Sequence, residues 1–254
     1  MQKRSKDMEY IEFNGINSLD LNIGITSRTG ILGSAERDVS VLSVPGRDGD
    51  LVVDNGRYKN VEVTFESYIL PESPQFKDDY ELFQLCQKVK EWLTKDIGYC
   101  KLKSSKQPGY YRLARLSNKL DISDVYFQIG SCTLYFDCYP YMYSESGDTE
   151  VIVLNGIEMQ LYNVEGMESK PIIHLIGSGN ATITLNKKVY HLNAVADSIY
   201  VDSEREITYS ENGMEYGKLE ADDFPVLQNG INNLKIEYDS GITKAIIIPR
   251  WRRL

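Results

Sequence analysis

Near the end of the chain, Asp223-Phe224-Pro225-Val226-Leu227-Gln228-Asn229-Gly230-Ile231-Asn232 leads through an alternating strand into Ile246-Ile247-Ile248-Pro249-Arg250-Trp251-Arg252-Arg253-Leu254. Pro225 fixes one backbone angle, and Asn229-Gly230 supplies a turn that accepts positive φ. Leu234, Ile236 and Tyr238 then alternate as in a half-buried strand. These signals indicate β architecture rather than a catalytic site.

The same pattern extends back to residue 150, without a helical period. Short apolar runs are found at residues 151–154, 172–176, 181–185, 198–201, 207–209, 234–238 and 245–248. Turn residues separate them, at Asn155-Gly156, Gly177-Ser178-Gly179 and Asn212-Gly213. Many short strands at this spacing predict a β-sandwich.

The first half of the chain also begins with strands and turns. Strands are predicted at residues 10–16, 39–44, 61–65, 110–116 and 123–139. Phe13-Asn14-Gly15 is taken to open a strand. Between Ser27 and Ser40 lies a polar, glycine-containing stretch that fits either a long hairpin or a mobile arm.

One amphipathic helix is predicted from near Asp78. Its apolar face collects Leu82, Phe83, Leu85, Cys86, Val89, Trp92 and Leu93, at steps of three and four residues. Pro71 and Pro74 precede it, Asp78 and Asp79 favour its amino end, and Gly98 follows its carboxyl end. We expect this helix to pack against the sheet.

A chain of 254 residues is long enough for two domains. The polar segment 141–149 is the best linker candidate, so we expect an N-terminal domain at residues 1–140 and a C-terminal domain at 141–254. One alternative is a single large β-domain. Another has the final strand dock back on the first domain.

Composition narrows the function classes. The formal charge is −9, and ten basic residues face 17 acidic residues after Pro140. This excess of acidic residues argues against nucleic-acid binding. No apolar run is long enough for a membrane helix, and the basic start lacks a following apolar stretch, so we expect the protein to be made and kept in the cytoplasm.

No cofactor or metal site is predicted. His174 and His191 lack nearby ligands at metal spacing. The cysteines Cys86, Cys100, Cys132 and Cys138 also lack that spacing, and we expect them to be reduced and mostly buried. Cys132 and Cys138, six residues apart, should face the same side of one strand.

Enzyme chemistry is not expected. The acids Asp197, Asp202, Glu204, Glu206 and Glu211 lie close together, as a glycosidase pair would require, but a solvated acidic face is the preferred interpretation. Gly177-Ser178-Gly179 is better explained as a strand turn than as a phosphate loop.

Several motifs in order carry a family resemblance. They are Phe13-Asn14-Gly15, Val44-Pro45-Gly46-Arg47-Asp48-Gly49-Asp50-Leu51, Phe136-Asp137-Cys138-Tyr139-Pro140-Tyr141, residues 163–171, Gly177-Ser178-Gly179-Asn180 and Tyr200-Val201-Asp202-Ser203-Glu204. Together with the chain ending, they resemble the distal tail proteins of siphoviruses, in the phage-tail family.

The resemblance implies a structural virion protein. Its fold would be mainly β, with an N-terminal sheet or barrel domain carrying one helix and a C-terminal galectin-like sandwich. Six copies would form a ring joining the tail tube to the tail-tip or baseplate hub, with a central channel through which DNA passes without specific binding. Partners would be the major tail tube protein and a tail-associated lysin or fibre hub. The implied location is the virion tail tip, after assembly in the host cytoplasm. The stretch between Ser27 and Ser40 would be an arm lapping a neighbouring subunit.

Five residues are candidates for the subunit interface. Arg47 and Asp48 share the tip of the loop Pro45 to Gly49, where they form either an intramolecular ion pair or a pair across a subunit boundary. Arg250, Trp251 and Arg252 belong to a final strand that docks the indole into a core or an interface, with arginines at its rim.

Two rival functions remain open. The first is a carbohydrate-binding module for attachment to the host surface, with Tyr190 or Tyr200 as the ring that stacks on sugar. The second is a cell-wall hydrolase that uses Asp202 or Glu204.

Overall fold

A computed structural model describes residues 8–69, 79–117, 122–125 and 129–254. The chain divides into two compact units: the first runs to Met142 and includes Leu254, and the second runs from Tyr143 to Arg253. Strands dominate both units, and the described residues contain one α-helix. The predicted fold class, β-rich with a single helix, is confirmed. No helix among the described residues is long and apolar enough to cross a membrane.

The first unit is built on a curled sheet. Its elements are β1 (Ile11–Phe13), β2 (Ile16–Asn17), β3 (Ile23–Thr29), β4 (Arg37–Leu42), β5 (Leu51–Tyr58), β6 (Val61–Ile69), α1 (Asp79–Thr94), β7 (Cys100–Ser104), β8 (Tyr110–Leu116), β9 (Ile122–Val125) and β10 (Ile129–Ser144). The sheet order is β2-β1-β7-β8-β10-β6-β3, and β9 pairs with β10. Strands β4 and β5 form a separate two-stranded sheet.

Helix α1 covers the core of the first unit. Leu85, Val89, Trp92 and Leu93 are buried in one cluster with strand residues such as Phe136. The indole N–H of Trp92 donates to the Phe13 carbonyl oxygen at 2.9 Å, which satisfies the one polar atom that this burial would otherwise cost. The helix therefore packs against the sheet as predicted.

The predicted apolar face of α1 is wrong at Phe83. This residue is 53% exposed and its ring stacks on that of Tyr80. It lies two positions before Leu85, which corresponds to about 200° around the helix and places it on the outer side. Cys86 is half-buried, while Pro71, Pro74, Asp78 and the side chains of Asp79 and Leu82 lie outside the described residues.

Alternation along the strands was a good guide to burial. Val63 and Phe65 of β6 are buried and Glu62 is exposed, as predicted. Cys132 and Cys138 both lie in the buried core, which confirms that they share one side of β10. All four cysteines are free thiols, and burial raises the pKa of Cys138 to about 12.

Two local predictions for the first half are corrected by the structure. Asn14 and Gly15, at φ 51° and 79°, form the turn between β1 and β2 and do not open a strand. The predicted strand over 123–139 is two antiparallel strands, β9 and β10. The predicted linker, residues 141–149, contains the boundary between the two units after Met142; within it β10 continues to Ser144 and Glu145–Asp148 form a 3-10 helix.

The second unit consists of short strands. They are β11 (Val151–Val153), β12 (Met159–Asn163), β13 (Ile172–Gly177), β14 (Gly179–Leu185), β15 (Lys188–Val195), β16 (Ser198–Asp202), β17 (Ile207–Ser210), β18 (Gly213–Met214), β19 (Leu219–Glu220), β20 (Gly230–Tyr238), β21 (Ile242–Ile248) and β22 (Arg252–Arg253). One sheet has the order β11-β21-β13-β16-β17-β18, and the other has the order β12-β20-β14-β15-β19.

The two sheets of the second unit enclose one core. Buried side chains of both, such as Ile173 and Val201 from the first and Ile183 and Ile236 from the second, belong to a single hydrophobic cluster. The predicted β-sandwich is therefore confirmed, while its likeness to galectins in particular remains a prediction. Sequence patterns missed β12, β15, β18 and β19. The predicted final strand through Arg250, Trp251 and Arg252 is shorter than expected, since β22 contains only Arg252 and Arg253.

Candidate functional site

The most unusual surface of the described chain is the β4–β5 hairpin. Its two strands pair with each other, and neither pairs with another described strand. Every residue from Val39 to Arg57 is exposed. An isolated two-stranded hairpin is marginally stable in water, so such an element normally gains its stability from a surface that it contacts.

Both faces of this hairpin are apolar. Opposite residues of an antiparallel pair lie on the same face, so the pair Val41 and Val52 marks one face and the pair Leu42 and Leu51 marks the other. Val39 adds to the first face. The apolar side chains Val39, Val41, Leu42, Leu51, Val52 and Val53 are 38–61% exposed. A strand hairpin with one solvated face would alternate apolar and polar residues, and this one does not.

Charged and aromatic contacts hold the base of the hairpin. The Arg37 guanidinium lies 4.6 Å from the ring centre of Tyr58, whose ring meets that of Tyr141 edge-on at 6.0 Å. Arg57 Nε donates to Asp38 at 2.7 Å, and this hydrogen bond holds the pKa of Asp38 below its ordinary value. The hairpin is thus fixed in register at one end and projects its apolar faces beyond it.

The tip of the hairpin is the predicted loop Pro45 to Gly49. Gly46 and Gly49 adopt φ of 79° and 78°, and only glycine takes these angles without strain. Arg47 and Asp48 are both exposed at this tip. Among the described residues neither forms an ion pair, so the intramolecular ion pair is not observed. Their role at a subunit boundary stays a prediction.

The projecting element begins later in the chain than the stretch singled out from the sequence. Strand β3 occupies the chain to Thr29, and a turn follows at residues 30–33. The hairpin itself runs from Arg37 to Tyr58. The long hairpin predicted within residues 27–40 is therefore not observed, because only Arg37 to Ser40 belong to a hairpin and their pairing partner β5 lies beyond that stretch.

The C-terminal arginines are bound within the second unit. Arg250 donates two hydrogen bonds to the Asp202 carboxylate, at 2.7 and 3.1 Å. Asp202 is 1% exposed and also accepts the backbone N–H groups of Glu204 and Arg205. The predicted solvated acidic face is therefore wrong at Asp202.

Two further arginines near the C-terminus bind acidic residues of the second unit. Arg252 is buried and donates to Glu204 at 2.9 Å and to the Glu168 carbonyl oxygen at 2.8 Å, while Arg253 pairs with Glu165. Trp251 is buried in the sandwich core. These contacts are what Arg250, Trp251 and Arg252 do within the chain, and their place at a subunit interface stays a prediction.

The two tyrosines predicted to stack on a sugar are buried or covered by other rings. Tyr190 is 2% exposed, and burial raises its pKa to about 12. The Tyr200 ring is stacked between His174 at 3.8 Å and Tyr209 at 4.9 Å, so neither of its faces is open. Tyr190 and Tyr200 are therefore unsuited to stacking on a sugar.

The two histidines belong to no metal-binding cluster among the described residues. No group of three or more His, Cys, Asp or Glu side chains is placed to hold a metal ion there. His191 shares a hydrogen bond with Thr182 at 3.2 Å, and burial lowers the pKa of His174.

Comparison with known proteins gives a structural match. No family model and no curated protein matches the sequence. The fold is similar to the crystal structure of the Dit protein of phage SPP1, described there as a paradigm of the hub adsorption apparatus in phages that infect Gram-positive bacteria. The TM-score is 0.68 with 13% sequence identity, over 95% of this chain and 97% of the other. At this identity the likeness shows the fold.

Proposed function

We propose that this chain is a structural component of a phage tail tip. Its motifs, which resemble those of distal tail proteins, and the similarity of its fold to the SPP1 Dit protein support this role. Six copies form a ring that joins the tail tube to the tail-tip or baseplate hub, and DNA crosses the central channel. The partners are the tail tube protein on one side and a lysin or fibre hub on the other. The subunits assemble in the host cytoplasm and remain at the tail tip of the virion.

One observation carries this proposal, the hairpin with two apolar faces. Exposed apolar surface of this kind indicates a contact with another protein, because monomeric soluble proteins rarely expose large apolar patches. Closed rotational symmetry gives each copy the same head-to-tail interface, so a single projecting element can link every neighbour in a ring. We assign the hairpin to the contact between subunits, with Arg47 and Asp48 at its tip setting the register.

The proposal is for a protein without enzymatic activity. Asp202 and Glu204, the acids that a hydrolase would need, hold the C-terminal arginines. The net charge of −9 suits a channel that DNA passes, because like charge keeps DNA from binding to the wall.

The test is the mass of the full chain in solution, measured by light scattering at high and low concentration, with negative-stain images of the same samples. We expect rings of six with a central hole, formed at high concentration or beside the tube protein. A monomer at every concentration, with no rings even in the presence of the tube protein, would refute the proposal.

A matched pair of variants assigns the contact to the hairpin. Val52 in the hairpin and Ile231 in the sandwich are both 61% exposed on strands. Val52→Asp should raise the concentration needed for assembly at least about tenfold, since each 1.4 kcal/mol lost is a factor of ten. Ile231→Asp should leave it unchanged. Equal effects of the two variants would show that assembly does not depend on the hairpin.

A further inference from the structure

The second unit contains a cleft that none of the foregoing functions uses. Its volume is about 420 Å³, within the range of small-molecule sites. It lies between the start of β17 and the loops on either side of β19, and its lining includes Thr208, Tyr216, Leu219, Asp222 and Phe224.

An exposed aromatic ring stands at this cleft. Tyr216 is 85% exposed, and its ring makes no contact with another described aromatic ring. The loop that carries it is fixed on both sides. Before it, the Glu215 N–H donates to the Thr208 carbonyl oxygen at 2.9 Å, and after it, the Asn193 N–H donates to the Lys218 carbonyl oxygen at 2.9 Å. The ring is therefore presented by an ordered loop, which limits the entropy lost when a ligand binds.

The cleft has an apolar side as well. Leu219 and Phe224 are partly buried and pack against the sandwich core. With the Tyr216 ring they offer apolar surface next to polar groups, the mixture that fixes both the affinity and the orientation of a small ligand.

The charges at the cleft select the ligand class. Its lining contains three carboxylates and no lysine or arginine. Two of the carboxylates already have cationic partners, because Glu206 lies 3.6 Å from Lys170 and Asp223 pairs with Lys188. The carboxylates outnumber these two lysines and themselves line the cleft, which disfavours phosphate-bearing ligands, while their ion pairs with lysine disfavour a cationic ligand. What remains is a set of hydrogen-bond acceptors for hydroxyl donors.

We propose that this cleft binds a neutral saccharide. The apolar face of a sugar ring stacks on Tyr216, and its hydroxyl groups donate to Asp222 and to the carboxylates beside it. This site differs from the one weighed from the sequence, since neither Tyr190 nor Tyr200 is among its lining residues. It adds a contact with host-surface carbohydrate to a chain whose main role is structural.

The test is titration of the full-length chain with glucose, galactose, rhamnose and N-acetylglucosamine and their disaccharides, followed by tyrosine signals in NMR. Glucose 1-phosphate and trilysine serve as the anionic and cationic comparators. We expect saturable millimolar binding of at least one neutral sugar, and weaker binding of both comparators. No binding of any neutral sugar, or tighter binding of either comparator, would overturn the proposal.

Variants locate the site. Tyr216→Ala should weaken sugar binding about fivefold, in keeping with the loss of one stacked ring, whereas Tyr216→Phe should retain it. Tyr162→Ala is the matched control, because Tyr162 is an exposed tyrosine of the same unit outside the cleft. Equal affinity of Tyr216→Ala and the wild type would overturn the assignment. Sugar binding by a chain that forms no rings would refute the proposed tail-tip role and leave this one standing.

Discussion

Replacing Arg250 with alanine should lower the free energy of unfolding of the second unit by about 3 kcal/mol. The change removes both hydrogen bonds from Arg250 to Asp202, whose side chain is 1% exposed in the wild-type structure. Breaking a buried ion pair by removing one partner typically costs about 3–5 kcal/mol. We take the lower end, because Asp202 keeps the backbone N–H groups of Glu204 and Arg205 at 3.0 and 3.3 Å.

Backbone strain does not enter this difference. Arg250 has φ of 54°, where any residue with a Cβ is strained, and alanine keeps the Cβ. For a unit of roughly 100 residues, 3 kcal/mol corresponds to a decrease of about 12 °C or more in Tm.

The assay uses the distribution of the two tryptophans. Trp92 is buried in the core of the first unit and Trp251 in the core of the second. In a Trp92→Phe background, urea unfolding followed by fluorescence therefore reports on the second unit alone. Arg250→Ala should shift the midpoint to lower urea without changing the slope.

The control variant is Glu206→Gln, which breaks a more exposed ion pair with Lys170 in the same unit. A surface pair of this kind is worth at most about 1 kcal/mol, so the control should stay close to the wild type. If Arg250→Ala and Glu206→Gln unfold at the same urea concentration, the buried pair does not stabilise the sandwich and the reasoning fails.

Three further predictions concern other parts of the chain. Burial lowers the pKa of His174, so the unfolded chain takes up a proton there at a higher pH than the folded chain. Stability should decrease as pH falls below about 6.5, and Tm measured at pH 7.5 and 5.5 should fall less in His174→Gln. A Cβ at Gly177 would lie 2.2 Å from a backbone carbonyl oxygen, whereas one at Gly156 meets nothing within 4 Å. Both have positive φ, so Gly177→Ala should cost several times the roughly 1 kcal/mol expected for Gly156→Ala, as thermal unfolding will show. Finally, reversing both tip charges with Arg47→Asp and Asp48→Arg should slow ring assembly in stopped-flow light scattering, and the salt dependence of the rate should change with it. An unchanged assembly rate would show that the tip lies outside the interface.

Much of the fold could be predicted from local patterns. Strict alternation at Val61 to Phe65 places each side chain correctly, because a strand in a sheet has only two faces. Helix α1 is found from its apolar spacing, although Phe83 was assigned to the wrong face. Strand β15 was missed because its outward residues include Val189, so that apolar and polar positions no longer separate by face.

Features that depend on tertiary contacts were harder to predict from local sequence patterns. Asp202 has the local setting of a solvated acid, and its burial depends on Arg250, which is 48 residues away in the chain. The hairpin could have been recognised from Val39 to Val44 and Leu51 to Val53, where apolar residues fall on both faces of a strand. Residues 39–44 were predicted as an ordinary strand and residues 51–53 were not predicted as a strand, so their position outside the core was not foreseen.

The β4–β5 hairpin also affects the behaviour of free subunits. Neither outer edge of the hairpin pairs with another described strand, and charged side chains lie at its base, where Arg57 and Asp38 pair, and at its tip, where Arg47 and Asp48 lie. Unpaired apolar edges are templates for aggregation between identical chains. We therefore expect encounters between copies to drive aggregation of the purified chain, because their frequency rises with concentration. A purified preparation should lose protein to precipitation at a rate set by its concentration, well below the temperature at which either unit unfolds.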